Sequence, residues 1–311
     1  MPNNPYPNFF LSNEVEDQYN SLLDLQGFCK IDNGLVGAPG LTRKINRYRA
    51  SNSVQKVTKG NGNTNTSEVT YTPFTYEILT AQGRFKYFDE DAMEDPMIVP
   101  VGVRHLGVDM FNTVNADIFA EFNKAELVVV PSAIDFDCFA DAQAMMNMEN
   151  IEGVEFFAFV CPADVAALRK ALKSTLQYVE AFARNGYVGT VAGINIYTKK
   201  DAVSGTIIVG TREAVTLFNK KGVEVEQPAR STEEANTREN WVYSRKYYLA
   251  ALTRGDRAVK ILVGGTATAT TDTTVSSSKT YYEASGLGYV EVVPVGTENP
   301  STEGWYEISA A

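Results

Sequence analysis

The residue types able to do acid–base, nucleophilic or metal chemistry are few in this chain, and their spacing supports none of the usual arrangements. There is one histidine, His105. With no second histidine, and no serine or cysteine in a nucleophile-elbow setting, a catalytic triad has no base-and-nucleophile pair. The three cysteines, Cys29, Cys138 and Cys161, are odd in number and none lies at a short metal-ligand spacing from another. They read as reduced, mostly buried thiols, not as a disulfide framework or zinc site. The run GNGNTN lacks the strand–loop–helix context and third glycine of a phosphate loop, and reads as a hairpin tip.

Two carboxylate groups need weighing. Asp89, Glu90, Asp91, Glu94 and Asp95 are dense enough to bind a hard cation, but the spacing matches no calcium loop. A solvated or ion-paired cluster is the simpler reading. Asp135 and Asp137, with Asp141 one turn on, form an Asp-x-Asp pair after an apolar run. Such pairs hold metals in some transferases, yet helix capping accounts for these residues more simply. The expectation is no catalytic residue, no metal and no cofactor.

One charge pattern is more informative. From Asn33 to Ser67 there is no acid, but there are six bases: Arg43, Lys44, Arg47, Arg49, Lys56 and Lys59. The acidic group at 89–95 lies just beyond. An intramolecular salt bridge is one reading. The other is a head-to-tail contact, the basic stretch of one copy lying on the acidic stretch of the next, of the kind that closes rings and shells.

These residues sit in a chain of 311, of which 44% are hydrophobic and 11% aromatic. That content supports a large buried core and argues against global disorder. A net charge of -10 disfavours whole-chain binding to nucleic acid or anionic membranes. The start, MPNNPYPNFFLSNEVEDQY, has no basic and apolar leader pattern. Apolar runs are too short to span a bilayer.

The elements that must position these groups are set by periodicity. Residues 1–40 read as an extended arm with one helical piece, VEDQYNSLLDL. SNSVQKVT, SEVTYTPFTYEI and GRFKYF read as strands, the first two closing a long hairpin over the polar tip KGNGNTNTSE. A lone hairpin buries too little to stand in water, so it must pack on something else, a neighbouring subunit being one candidate. Val103, Leu106, Met110, Val114, Ile118 and Phe122 mark a long helix over 97–125. Beyond it the pattern is mixed. ELVVVP and VEFFAFV read as strands, Asp135 or Asp137 as the cap of a helix to Asn147, and Pro162 as the first residue of a helix burying Val165, Leu168 and Leu172. VGTVAGINIYT and GTIIVGT read as strands, GTREAVTLF as a short helix or turn, and VEVEQPAR, WVYSRKYYLAAL and RAVKILV as the last core strands. GGTATATTDTTVSSS reads as a linker, and the remaining tail as a small β appendage.

In order and spacing these elements resemble the Hong Kong 97 coat fold of tailed-bacteriophage major capsid proteins, over roughly residues 10–263. KYFDEDAMEDP resembles the acidic turn between that family's extended loop and spine helix. ADIFAEFNKAELVVVPSAIDFD resembles the end of the spine and the entry to the axial domain. FFAFVCPADVAALRKAL resembles the strand and Pro-capped helix, VGTVAGINIYT the G-x-x-x-G strand, and VEVEQPARSTEEANTRENWVYSRKYYLAAL the charged turn and aromatic return strand. The resemblance implies an α+β capsid fold. Its parts would be an arm (1–40), extended loop and first peripheral strands (41–95), spine helix and peripheral domain (96–130), axial domain (131–240), peripheral return strands (241–263), and a Thr/Ser linker with a β-rich extension (264–311). It further implies self-assembly through hexamers and pentamers into an icosahedral virion shell around double-stranded DNA, assembled in a host cytoplasm. A scaffolding protein, a portal and cement proteins would be partners, and membranes would not. With so short an arm, either a scaffolding segment has been removed or a separate scaffold serves. The alternatives are an encapsulin-like compartment and a soluble metal-dependent transferase using Asp135 and Asp137. On the capsid reading, the six bases and five acids above face each other across subunits.

Overall fold

A computed structural model describes residues 23–37, 39–50, 54–149, 153–176, 189–294 and 298–310. The expected arm, and most of VEDQYNSLLDL, lies outside the described residues. The described chain opens on a short 3₁₀ turn, Leu25–Phe28, whose N-terminus is capped by the Asp24 carboxylate accepting from the Gln26 N–H at 3.0 Å. Strand β1 is Lys30–Asp32.

Three long strands come next: β2 (Thr42–Ala50), β3 (Val69–Glu77) and β4 (Leu79–Phe88). β2 and β3 pair only with each other, from Thr42↔Glu77 to Ala50↔Val69, and form a hairpin about 30 Å long that joins neither of the larger sheets. Of the expected strand SNSVQKVT, residues 51–53 lie outside the described residues and 54–58 belong to no sheet. The strand facing VTYTPFTYE is TRKINRYRA, and 54–68 belongs to no sheet. The cause is that β2 carries a polar or basic residue at most positions, so it lacks the apolar alternation that identifies a half-buried strand.

A short helix, α1 (Asp89–Glu94), replaces the expected turn, and the spine is α2 (Ile98–Phe122), 25 residues and about 38 Å. Of its predicted stripe, Leu106, Met110, Val114, Ile118 and Phe122 are buried. α2 packs across a four-stranded sheet in the order β1-β10-β11-β4, in which β10 is Val215–Glu226 and β11 is Glu239–Leu252. The helix approaches the sheet closely at Gly102, where a Cβ would lie 2.5 Å from the Phe85 ring. Of the short helix or turn expected at GTREAVTLF, the structure has the turn, at 212–214, and Val215 onward is already a strand that runs through VEVE and ends at Glu226, before QPAR. Val215 to Phe218 are all buried between flanking strands, which overrides local helix preference.

The second sheet has ten strands. Its body comprises β5 (Leu127–Val129), β6 (Phe156–Val160), β7 (Thr190–Val191), β8 (Ile194–Thr198), β9 (Thr206–Thr211) and β12 (Ala258–Leu262), ordered β5-β12-β9-β6-β8-β7. Helix α3 (Phe136–Met145) starts at the Asp135 cap and buries Cys138, Phe139 and Ala142. Helix α4 (Pro162–Leu176) begins at Pro162 and buries Val165, Leu168 and Leu172. The described part of VGTVAGINIYT, residues 189–198, is a hairpin and not one strand: Ala192 and Gly193 both take positive φ (50° and 76°), which a tight primed turn requires. On the other side of the sheet Phe28, Phe119, Phe122, Phe157, Phe159 and Tyr197 form one aromatic cluster, ring centroids 4.6–6.1 Å apart. Phe28 ties the N-terminal segment into that cluster.

The sheets do not respect sequence blocks. β10, inside 131–240, belongs to the four-stranded sheet, and β12, inside 241–263, belongs to the ten-stranded one. The Thr/Ser stretch is also not a free linker. Thr266–Ala269 is strand β13, paired with β16 (Tyr306–Ser309), and Thr270 is buried. With β14 (Tyr281–Ser285) and β15 (Gly288–Val292) these strands extend the large sheet beyond β5. Serine and threonine suggested a coil by composition, but threonine in particular is well suited to a strand once a partner strand is present.

Candidate subunit interface

The acidic group is partly consumed within its own chain. Asp89 opens α1, and its Oδ1 accepts hydrogen bonds from the Arg230 guanidinium and from Asn240 Nδ2, the latter at 2.8 Å. Arg230 Nε also donates to Asn240 Oδ1 at 2.9 Å. Those bonds, Arg230 first, hold the Asp89 carboxyl below its ordinary range. Glu90 accepts from Arg238 Nη1 at 2.8 Å. Asp91 reaches back to the Phe88 N–H at 3.3 Å, and Asp95 accepts from the Met97 N–H at 3.0 Å. Glu94 is exposed. Arg230 and Arg238 flank α5 (Thr232–Thr237), in the connection between β10 and β11, so this loop is tied onto α1.

The hairpin bases are not the partners of these acids. Arg43 lies over the Phe218 ring, 5.4 Å from its centroid, at the hairpin root, where Ile45 and Tyr76 pack on Leu35, Ile78 and Leu249. Lys44, Lys56 and Lys59 are exposed and pair with no described acid. Arg47 and Arg49 sit in β2 opposite Thr72 and Thr70, and their side chains lie outside the described set. The eleven candidate residues thus fall into two groups, a hairpin whose exposed lysines have no described acid partner and an acidic group of which Asp89 and Glu90 are paired with arginines from a different loop.

Arg230, Arg238 and Asn240 were not singled out by sequence, and nothing local marks them. A cation-and-aromatic ladder on the four-stranded sheet was also missed. Arg84 lies 5.4 Å and Lys86 5.7 Å from the Trp241 ring centroid, and Arg245 lies 5.5 Å from that of Tyr243. Alternation of Arg/Lys in β4 with Trp/Tyr in β11 was the available signal, readable only once β4 and β11 are known to pair.

The other candidates have local roles. Asp135 caps α3, accepting from the Cys138 N–H at 3.1 Å. His105 is exposed and 3.1 Å from Asp109 one turn on. Burial pushes the Cys29 and Cys138 thiols up to about 11. Among the described residues no three His, Cys, Asp or Glu side chains converge as a metal site, and no helix is long and apolar enough to cross a membrane.

A spine helix on a four-stranded sheet, a second sheet flanked by helices, and a hairpin standing outside both define the Hong Kong 97-type capsid fold, and the chain has that fold. The capsid structure of Cyanophage P-SCSP1u matches with a TM-score of 0.59 at 13% identity, over 78% of this chain and 88% of that one. A structure from Mycobacterium phage Che8 matches with a TM-score of 0.59 at 15% identity, over 84% and 98%. In sequence, the major capsid protein of Staphylococcus phage phiMR11 is 24% identical over 256 residues, covering 80% of this chain and 90% of that protein. No protein-family model matches the chain.

Proposed function

We propose that this chain is a tailed-phage major capsid protein: a structural subunit, not a catalyst, that closes into an icosahedral virion shell around double-stranded DNA through hexamers and pentamers. The observation that carries the proposal is the coincidence of fold and relative. The capsid architecture spans most of the chain, and the sequence aligns over a similar extent with a phage major capsid protein.

The hairpin supports a head-to-tail contact between copies. It pairs with no other described strand, exposes Val69 and Tyr71, and presents lysines with no described acid partner. We assign Arg43, Lys44, Arg47, Arg49, Lys56 and Lys59 to that contact. Of the acids, Glu94 and the outer faces of Asp91 and Asp95 keep capacity for a neighbour's cations, while Asp89 and Glu90 chiefly hold α1. Packaged DNA, a scaffold and a portal belong to the same reading. With a net charge of -10, DNA contact must be local and independent of base sequence.

Deleting residues 53–68 tests the proposal. The intact chain should give shells by negative-stain microscopy and megadalton species by ultracentrifugation. The deletion should give a folded monomer without shells. Normal shells from the deletion variant would remove the hairpin from the contact. A discrete monomer or dimer from the intact chain, under conditions that assemble other coat proteins, would remove the shell reading itself.

A further inference from the structure

A cleft of about 480 Å³ opens where three parts of the chain meet. One wall is the hairpin root, with Phe74 of β3. Another is the C-terminal extension, with Tyr282 of β14 and Glu291 of β15. Between them lie the residues just past the spine helix and Lys260 of β12. The Glu291 N–H donates to the Glu126 carbonyl at 2.8 Å, which fixes the extension to the end of the spine. The volume falls within the range of small-molecule sites, about 300–1,000 Å³.

Two donors line this cleft without a good partner. Lys260 is partly buried, and among the described acceptors its Nζ meets the Asn123 carbonyl at a long 3.4 Å. Burial holds its ammonium below the ordinary lysine range. The Tyr282 phenol, which burial pushes up to about 12, has no described hydrogen-bond partner. Half-buried donors left in this way are costly unless something accepts from them.

Charge decides what that can be. Lys124 and Lys260 stand with Glu126 and Glu291, two of each sign. A phosphate chain needs a positive lining, and a wholly apolar ligand would leave these groups unbonded. Aromatic rings set among both donors and acceptors suit a neutral ring with C–H faces and hydroxyl edges. The aromatic surface also continues past the cleft. Tyr282 lies directly opposite Tyr306, and Ala284 opposite Tyr289, so the three tyrosines share one face of the extension. The Tyr289 and Tyr306 ring centroids are 5.3 Å apart.

We infer that this cleft binds a neutral hexopyranose unit of a glycan, stacked on Tyr282 and hydrogen-bonded by Lys260 and Glu291, with further units running over Tyr306 and Tyr289. The inference goes beyond the shell reading and does not rest on it.

Saturation-transfer NMR of the intact chain with maltotriose, cellotriose and chitotriose tests it, on unassembled subunits and on particles. At least one trisaccharide should show transfer to its ring protons in both states, and sodium phosphate should not displace it. Tyr282→Ala and Lys260→Met should each weaken that binding about fivefold, the factor of one lost hydrogen bond. Tyr282→Phe, which keeps the ring and its packing, should weaken it less, and it decides the matter with Lys260→Met if Tyr282→Ala melts early. Four results would overturn the inference and leave the shell reading standing. They are silence from all three sugars, binding unmoved by the substitutions, displacement by sodium phosphate at equal ionic strength, and binding by subunits but not by particles, where a neighbouring copy would fill the cleft.

Discussion

Tyr289 lies directly opposite Val128, pairing β15 with β5. Through this contact the last part of the chain is built into the large sheet instead of hanging from it. Gly288 makes it possible, because a Cβ there would lie 2.4 Å from the Val128 carbonyl oxygen and 3.2 Å from Met145 Cε.

Gly288→Ala should therefore loosen the extension selectively. Forcing a methyl against backbone costs about 1–3 kcal/mol. Hydrogen exchange should quicken at 281–292 and 306–309 while the spine helix keeps its protection. Uniform protection across both would show that the two strands tolerate separation.

The extension should also be acid-sensitive. Asp272 and Glu307 both accept from Lys279, at 2.9 and 3.0 Å, and that bond is the main cause holding both carboxyls below their ordinary values. A depressed carboxyl contributes stability above its unfolded pKa, about 4, and loses it as pH falls through the folded value. Trp305 is buried beside Tyr281, ring centroids 5.7 Å apart. In a Trp241→Phe background its emission should move toward that of exposed tryptophan below about pH 4, and Lys279→Met should flatten the titration. The same acid transition in both proteins would assign it elsewhere.

Asn115 ties the N-terminal segment to the spine. It is 2% exposed, accepts from the Leu25 N–H at 3.1 Å and donates to the Leu23 carbonyl at 3.1 Å. Asn115→Ala leaves two backbone groups without a partner, a loss of about 1–3 kcal/mol. The denaturant midpoint should fall, and protection at 25–28 should fall further than at β6. A midpoint within error of the parent would mean that water replaces the amide.

Reversing Lys44, Lys56 and Lys59 to glutamate should leave monomer melting unchanged, since none has a described ion-pair partner to lose. Shell yield should drop, and it should drop for the unaltered chain as ionic strength rises, because exposed charges are screened beyond about 8–10 Å. Yield independent of both changes would place the intersubunit affinity in apolar contacts alone.

Local physics was legible in the sequence. The α2 stripe, the Asp135 cap and Pro162 at the head of α4 each depend on residues within a turn or two of one another, and each stands where periodicity put it. The hairpin's lysines were also legible, because the absence of any acid from Asn33 to Ser67 is a property of the chain and not of its folding. Tertiary structure alone decided which cations meet the acidic group: Arg230 and Arg238 reach Asp89 and Glu90 across 141 and 148 residues. It likewise decided that TRKINRYRA faces β3, that β10 crosses out of its sequence block, and that a threonine-rich stretch becomes a strand. Strand pairing satisfies backbone groups far apart in sequence, and its register depends on partners that no local window contains.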